Sequence, residues 1–181
     1  MFKSNICQLT TKDYYTLQSM QDDMFLKDEL MRSILRDKLS NAIVAFPEDI
    51  PPTVVTLNSR ISYRVDDGHL ENRVIAHNEK RGIVGMTLIS ITEPRGLTLL
   101  GLAEGQSAVV SRTPEASETV TVEKVFYQPE AEAQRVRERM QRIEGAEREQ
   151  SNVFRVQDRA LRVKRTMDRG NDNDDAGPPA A

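Results

Sequence analysis

The chain has 181 residues, of which 29% are charged and 38% hydrophobic, and a net charge of −3. That apolar share supports one core of about a hundred residues, not the whole chain packed as a single globule. The near-neutral balance excludes a global basic field that would draw the chain to nucleic acid, and a single cysteine, Cys7, excludes a disulfide framework.

No apolar run approaches the roughly 20 residues that a membrane-spanning helix needs. Met1-Phe2-Lys3-Ser4-Asn5 leads into no apolar stretch of the secretory kind, so a cytoplasmic protein is expected. Cys7 reads as a small packing residue.

Residues 10–46 are expected to form a short antiparallel helical hairpin. Thr10, with Asp13 three residues on, resembles a capping-box start. Tyr14, Leu17, Met20 and Met24 recur at helical spacing. The acid-rich stretch 21–28 interrupts that pattern, and Asp28 can cap a second helix. In that helix Leu30, Met31, Ile34, Leu35, Leu39, Ala42, Ile43 and Phe46 form an apolar stripe. Pro47 is expected to end it, because the residue before a proline is pushed out of helical geometry.

Beyond the linker 48–52 the hydrophobic period changes from 3.6 to 2. Five strands are expected, the first over 54–57 and 61–65 with a bend between, then 71–76, 86–91, 108–110 and 119–126, with Asp66-Asp67-Gly68 turning a β-hairpin. Asn58-Ser59 suits a bend held by local side-chain bonds. Pro94 fits the first position of a short helix, and Gly101 fits its end. The fold class is therefore α+β, with strands around one short helix. Leu97, Leu99, Leu100 and Leu102 are many to fit beneath so short a helix, so either one or two stand at the surface, where they could meet a partner, or all are core.

From Glu130 the chain is rich in arginine and glutamate. Val136, Met140 and Ile143 form one stripe, and Val153, Val156, Ala160, Val163 and Met167 form a second, at spacings of three and four. Gly145 and Ser151-Asn152 divide two expected helices. The Asp- and Pro-rich end is expected to be disordered. The chain is thus read in three parts: a helical hairpin over 1–50, a β-rich domain over 51–129, and a charged tail over 130–181.

Three phrases in fixed order carry a family resemblance: Val54-Val55-Thr56-Leu57-Asn58-Ser59-Arg60, then Leu99-Leu100-Gly101-Leu102 with Gly105, then Phe126-Tyr127-Gln128-Pro129-Glu130-Ala131. Together they resemble the Rnk proteins, regulators of nucleoside diphosphate kinase related to the GreA and GreB transcript-cleavage factors. The resemblance spans about residues 8–131. It implies an FKBP-type Gre-factor C-terminal domain behind the hairpin. It also implies RNA polymerase as partner, bound at its secondary channel in competition with Gre factors. Two loops depart from the family pattern: 103–106, and 114–117 before the last strand. The tail has no counterpart.

In Gre factors, acids at the hairpin tip help hold a catalytic magnesium. Here Asp22, Asp23, Asp28 and Glu29 stand at that place, and carboxylate oxygens are the donors that Mg²⁺ prefers. Helices of about four turns make a prong of roughly 20–25 Å, about half the Gre length, so contact in the channel without robust cleavage is expected. Solvated capping acids are the alternative. The resemblance places a polymerase-docking surface at Pro94, Arg95, Gly96, Leu99 and Leu100. Arg155, Arg159, Arg162, Lys164 and Arg165 in the tail offer weak nucleic-acid contacts, against the alternative of a salt-bridged solvated helix.

No cofactor, metal, membrane or small-molecule substrate is expected. His69 and His77 have no cysteine cluster near them, and Ser59 has no neighbouring histidine to activate it. The chain is read as a regulator and not an enzyme. The alternatives are a direct modulator of nucleoside diphosphate kinase and a peptidyl-prolyl isomerase. The latter would need an aromatic pocket from Tyr63, Phe126 and Tyr127.

Overall fold

A computed structural model describes residues 7–22, 28–77, 87–113, 116–146 and 159. The chain divides into two units, residues 1–135 and 136–181. The first unit is a mixed α+β body. It begins with β1 (Gln8–Thr10), α1 (Thr11–Asp22), α2 (Glu29–Asn41) and β2 (Ile43–Ala45). Then follow β3 (Arg60–Val65), β4 (Leu70–Ala76), β5 (Leu88–Ser90), α3 (Pro94–Leu99), β6 (Ser107–Thr113) and β7 (Ala116–Tyr127).

Local chemistry sets both helix starts. The Thr10 hydroxyl oxygen accepts the Asp13 N–H at 3.0 Å, and Asp28 Oδ1 accepts the Leu30 N–H at 3.0 Å. Each cap satisfies one of the amide groups that a helix leaves open at its first turn. The end of the second helix differs from expectation. α2 stops at Asn41, and Ala42 is already extended, with φ −74° and ψ 137°. Ile43-Val44 are β-branched and pair instead with β1 in a parallel two-stranded sheet, where the Ile43 N–H donates to Cys7 at 2.8 Å. Ile43 and Phe46, assigned to the buried stripe, are consequently exposed.

The main sheet has the order β5-β4-β3-β7-β6. β3 and β4 form the expected antiparallel hairpin, with Arg60 opposite Val74 and Arg64 opposite Leu70. β5 adds to β4 in parallel. The expected strand over 54–57 is not a strand. Residues 54–59 form a loop with one isolated bridge, Val54 to Ala103. Val55 exchanges backbone bonds with Leu102 and Gly101, both at 2.8 Å, so the start of this segment pairs with the chain after α3, while at its end the Asn58 N–H donates to the Ile75 carbonyl of β4 at 2.8 Å.

One hydrophobic cluster runs through the first unit: Leu9, Leu17 and Met20, Met31 and Leu35, then Val55, Ile61, Tyr63, Ile75, Ile91, Leu97 and Val120. α1 and α2 therefore share a core with the sheet. α3 sits over β5 at very close range, because a Cβ on Gly96 would overlap the Ser90 carbonyl. Gly101, with φ +81°, turns the chain after α3 in a conformation that favours glycine. Residues 129–146 are helical and follow β7.

Candidate functional site

The three phrases are far apart in sequence and meet in space. The Gln128 side-chain amide donates to the carbonyls of Pro51, at 2.9 Å, and Val54, at 2.7 Å. The Thr56 hydroxyl donates to Glu130 Oε2 at 2.6 Å, and Thr56 and Ser59 hydroxyls lie 3.0 Å apart. Thr56 and Ser59 are fully buried. Ser59 Oγ also accepts the Thr56 N–H at 3.1 Å, which is the local bend expected of Asn58-Ser59. The phrases thus form a hydrogen-bonded junction of the first unit, a structural role for most of their polar groups.

A buried carboxylate and a half-buried ammonium tie the helices to this junction, and sequence reasoning missed both. Asp13 is fully buried; its Oδ2 accepts the Leu57 N–H at 3.3 Å, and its Oδ1 has no hydrogen-bond partner among the described residues. Burial, opposed by the bond from Leu57 and assisted by the Glu130 charge, raises its pKa from 3.8 to about 6. The Lys38 ammonium reaches from α2 to the end of α3. It donates to the carbonyls of Leu100 and, at 3.2 Å, Thr98, and lies 3.6 Å from Cys7 Sγ. Burial lowers the Lys38 pKa. A signal was present: Asp13-Leu17-Met20 and Met31-Leu35-Lys38 share one spacing, so each charge sits on its helix's apolar stripe.

The acids expected at the hairpin tip have separate explanations. Asp28 caps α2, and Glu29 pairs with Arg32 at 3.1 Å. Both are exposed at a helix N-terminus, where negative charge is favoured. Asp22 is exposed at the C-terminus of α1, and no basic residue occupies that last turn. There the helix dipole disfavours it, so Asp22 has no local structural reason. Asp23 lies outside the described residues.

Of the two readings of the leucines around α3, the all-core one holds, and none is exposed to meet a partner. Leu97, Leu99 and Leu100 are fully buried, Leu102 nearly so, and Gly96 is buried as well. The helix is covered on several sides at once, by β5, β6, β7 and α2. Of the five docking candidates, only Pro94 and Arg95 are half-exposed. Arg95 is engaged by a bidentate pair to Glu118, with Nη2 to Oε2 at 2.6 Å. In the tail, Arg159 is helical and exposed, while Arg155, Arg162, Lys164 and Arg165 lie outside the described residues.

On the sheet, Arg60 stands 5.6 Å from the Phe126 ring centroid. With Asn72 they line a shallow groove of about 260 Å³. Arg64 pairs with Glu123 at 3.2 Å. Tyr63 is buried and donates its hydroxyl proton to Glu71 at 3.1 Å, so it lines no open aromatic pocket. No group of three or more His, Cys, Asp or Glu among the described residues is placed to hold a metal ion. No helix among them is long and apolar enough to cross a membrane.

No family model matches the chain. It is 34% identical over 98 residues to the regulator of nucleoside diphosphate kinase from Escherichia coli K12, an alignment covering 54% of this chain and 71% of that one. The chain belongs to the family of regulators of nucleoside diphosphate kinase. The family protein of Shigella flexneri matches with the same identity and coverage. Among solved structures, the chain is similar to a prokaryotic GreA/GreB transcription elongation factor from Nitrosomonas europaea. The TM-score is 0.52 at 28% identity, covering 67% of this chain and 98% of that one. Membership in the family accords with the junction, since the three phrases that carry the resemblance are the ones joined there.

Proposed function

We propose that this protein is a cytoplasmic transcription regulator that docks on RNA polymerase at the secondary channel, competes there with Gre factors, and does not support robust transcript cleavage. The observation that carries this reading is a pair of short helices with an acidic exposed end. α1 and α2 have 12 and 13 residues, so each is about 18–20 Å long. Met20 and Met31 are buried within two residues of Asp22 and Glu29, so the acids stand close to the body and not at the end of a long projection.

In this reading the helices are an antiparallel prong, residues 1–50, on an FKBP-type body, residues 51–129, followed by the tail. Asp22, Asp23, Asp28 and Glu29 provide negative potential in the channel. Pro94 and Arg95 are the parts of the expected docking segment that a partner can touch. Gly96, Leu99 and Leu100 support them from below. Arg155, Arg159, Arg162, Lys164 and Arg165 add a weak electrostatic attraction for nucleic acid.

The test is direct. The purified chain and core RNA polymerase are expected to co-elute at low salt and micromolar concentration. The chain is also expected to suppress transcript cleavage stimulated by a Gre factor, with little cleavage of its own. Failure to bind rejects the proposal, and strong Mg²⁺-dependent cleavage rejects its non-cleaving part. A direct effect on nucleoside diphosphate kinase, the reading the relatives' name favours, is tested by kinase turnover with and without the chain.

A further inference from the structure

The junction accounts for Thr56, Ser59, Gln128 and Glu130 in the phrases that carry the family resemblance. None of its bonds uses the side chains of Arg60, which ends the first phrase, or of Phe126 and Tyr127, which open the third. Strand pairing brings these three together. Arg60 pairs with Tyr127 and Ile61 with Val125, so Phe126 is the extra residue of a bulge, a device that re-aims side chains. Phe126 and Tyr127 are 48% and 45% exposed, and the Arg60 guanidinium lies 5.6 Å from the Phe126 centroid. In the next row of the sheet, Asn72 stands opposite Ser62, and Ser62 opposite Lys124. Cross-strand partners share a face, and Arg60 and Ser62, two apart on β3, share it too.

Arg60, Asn72 and Lys124 are exposed on this face, and among the described residues neither cation has an ion pair and the Asn72 amide has no hydrogen bond. The neighbouring carboxylates are engaged elsewhere. Glu123 pairs with Arg64 at 3.2 Å, Glu71 pairs with Arg73 at 2.9 Å, and Glu104 Oε1 accepts the Val125 N–H at 2.7 Å. The face therefore presents two positive charges, two exposed rings and an open amide side by side.

We propose that this face of the sheet binds single-stranded nucleic acid. A base stacks on the cluster of Phe126, Tyr127 and Arg60, Asn72 meets a base edge, and Arg60 and Lys124 attract the phosphates. This goes beyond the polymerase reading, does not depend on it, and uses a different surface from the tail. Charge complementarity selects an anion. The groove of about 260 Å³ is shallow and smaller than the roughly 300–1,000 Å³ pockets that enclose small ligands, so it suits one unit of a chain laid across it. Aromatic rings and guanidinium planes are stacking platforms for bases, and an amide can both donate to and accept from a base edge. An acidic peptide would match the cations but leave the rings and the amide unused. A duplex keeps its base faces inside the stack, so the strand must be single.

The test titrates the full chain against a fluorescein-labelled oligothymidylate of about ten nucleotides, read by anisotropy at several salt concentrations. Phe126→Ala is expected to weaken binding about 5- to 100-fold, with thermal unfolding little changed because the ring is half-exposed. An abasic oligomer of the same length, which keeps every phosphate, is expected to bind the parent chain more weakly by a similar factor. Lys124→Gln is expected to reduce the slope of log affinity against log salt by about 0.7. Equal affinity for the abasic and base-bearing oligomers overturns the proposal whatever the variants do, since stacking then plays no part. Binding that survives both substitutions unchanged also overturns it, and is the outcome for attraction by the tail alone. Tighter binding of a glutamate-rich peptide than of the oligomer overturns it in favour of an acidic protein segment. Absence of oligomer binding at low salt overturns it outright.

Discussion

The carboxylate of Asp13 accepts the backbone N–H of Leu57 at 3.3 Å, holding α1 against the loop between β2 and β3. The second oxygen of the carboxylate is buried without a partner among the described residues, and Glu130 adds its charge from the start of the helix after β7. Three separate stretches of chain therefore meet around one acid whose pKa is raised to about 6.

Asp13→Asn is expected to change how stability depends on pH. Because the native pKa lies above the unfolded value of 3.8, the native state holds the extra proton between pH 3.8 and about 6. The stabilisation from that proton is fully present below pH 3.8 and is lost as pH rises through 6. The shift corresponds to about 3 kcal/mol. Urea unfolding should show the variant gaining up to about 3 kcal/mol relative to the parent between pH 4 and pH 7. A difference that stays flat across that range would contradict the burial argument.

Lys38→Met removes the donor that serves Thr98 and Leu100 while keeping most of the apolar stem. The two carbonyls at the end of α3 then lose the ammonium in a largely buried place, leaving Leu100 only the weak Cys7 thiol donor at 3.9 Å. A loss of about 1–3 kcal/mol is expected in denaturant unfolding at neutral pH.

Gly96→Ala tests the close approach of α3 to β5. The added methyl would overlap the Ser90 carbonyl, which is backbone and cannot turn aside as a side-chain end could. Destabilisation of about 3 kcal/mol or more is expected, read as a lowered thermal midpoint.

The tip acids should separate by role. Asp28→Ala loses the cap on Leu30 and is expected to cost about 1 kcal/mol of stability. Asp22→Asn removes a negative charge from a helix C-terminus and should be neutral or stabilising by about 0.3–1 kcal/mol. If the acidic end acts in the polymerase channel, Asp22→Asn weakens competition with Gre factors at unchanged or higher stability. Unaltered competition assigns the acids to solvation alone.

The candidate site was legible in part. Asp28 as a helix cap, Thr10 as a helix start and Pro94 opening α3 all follow from short-range chemistry, and the structure has each one. The burial of Leu99 and Leu100 stayed open as one of two readings, because counting apolar residues under one helix ignores neighbours that arrive from distant segments. Asp13 and Lys38 lie on apolar stripes, but a pattern that scores charge as exposed passes over them.

The amino-acid order by itself determined the α+β class, the two helix starts, the β3–β4 hairpin and the family, because these depend on contacts a few residues apart or on phrases that can be read directly. Tertiary structure alone decided that 54–59 is a loop and not a strand, that Ile43-Val44 leave the helix to pair with β1, and that the helices share one core with the sheet. The physical reason is the same in each case. A backbone amide takes whichever partner the fold brings to it, and that partner is set by segments distant in the sequence.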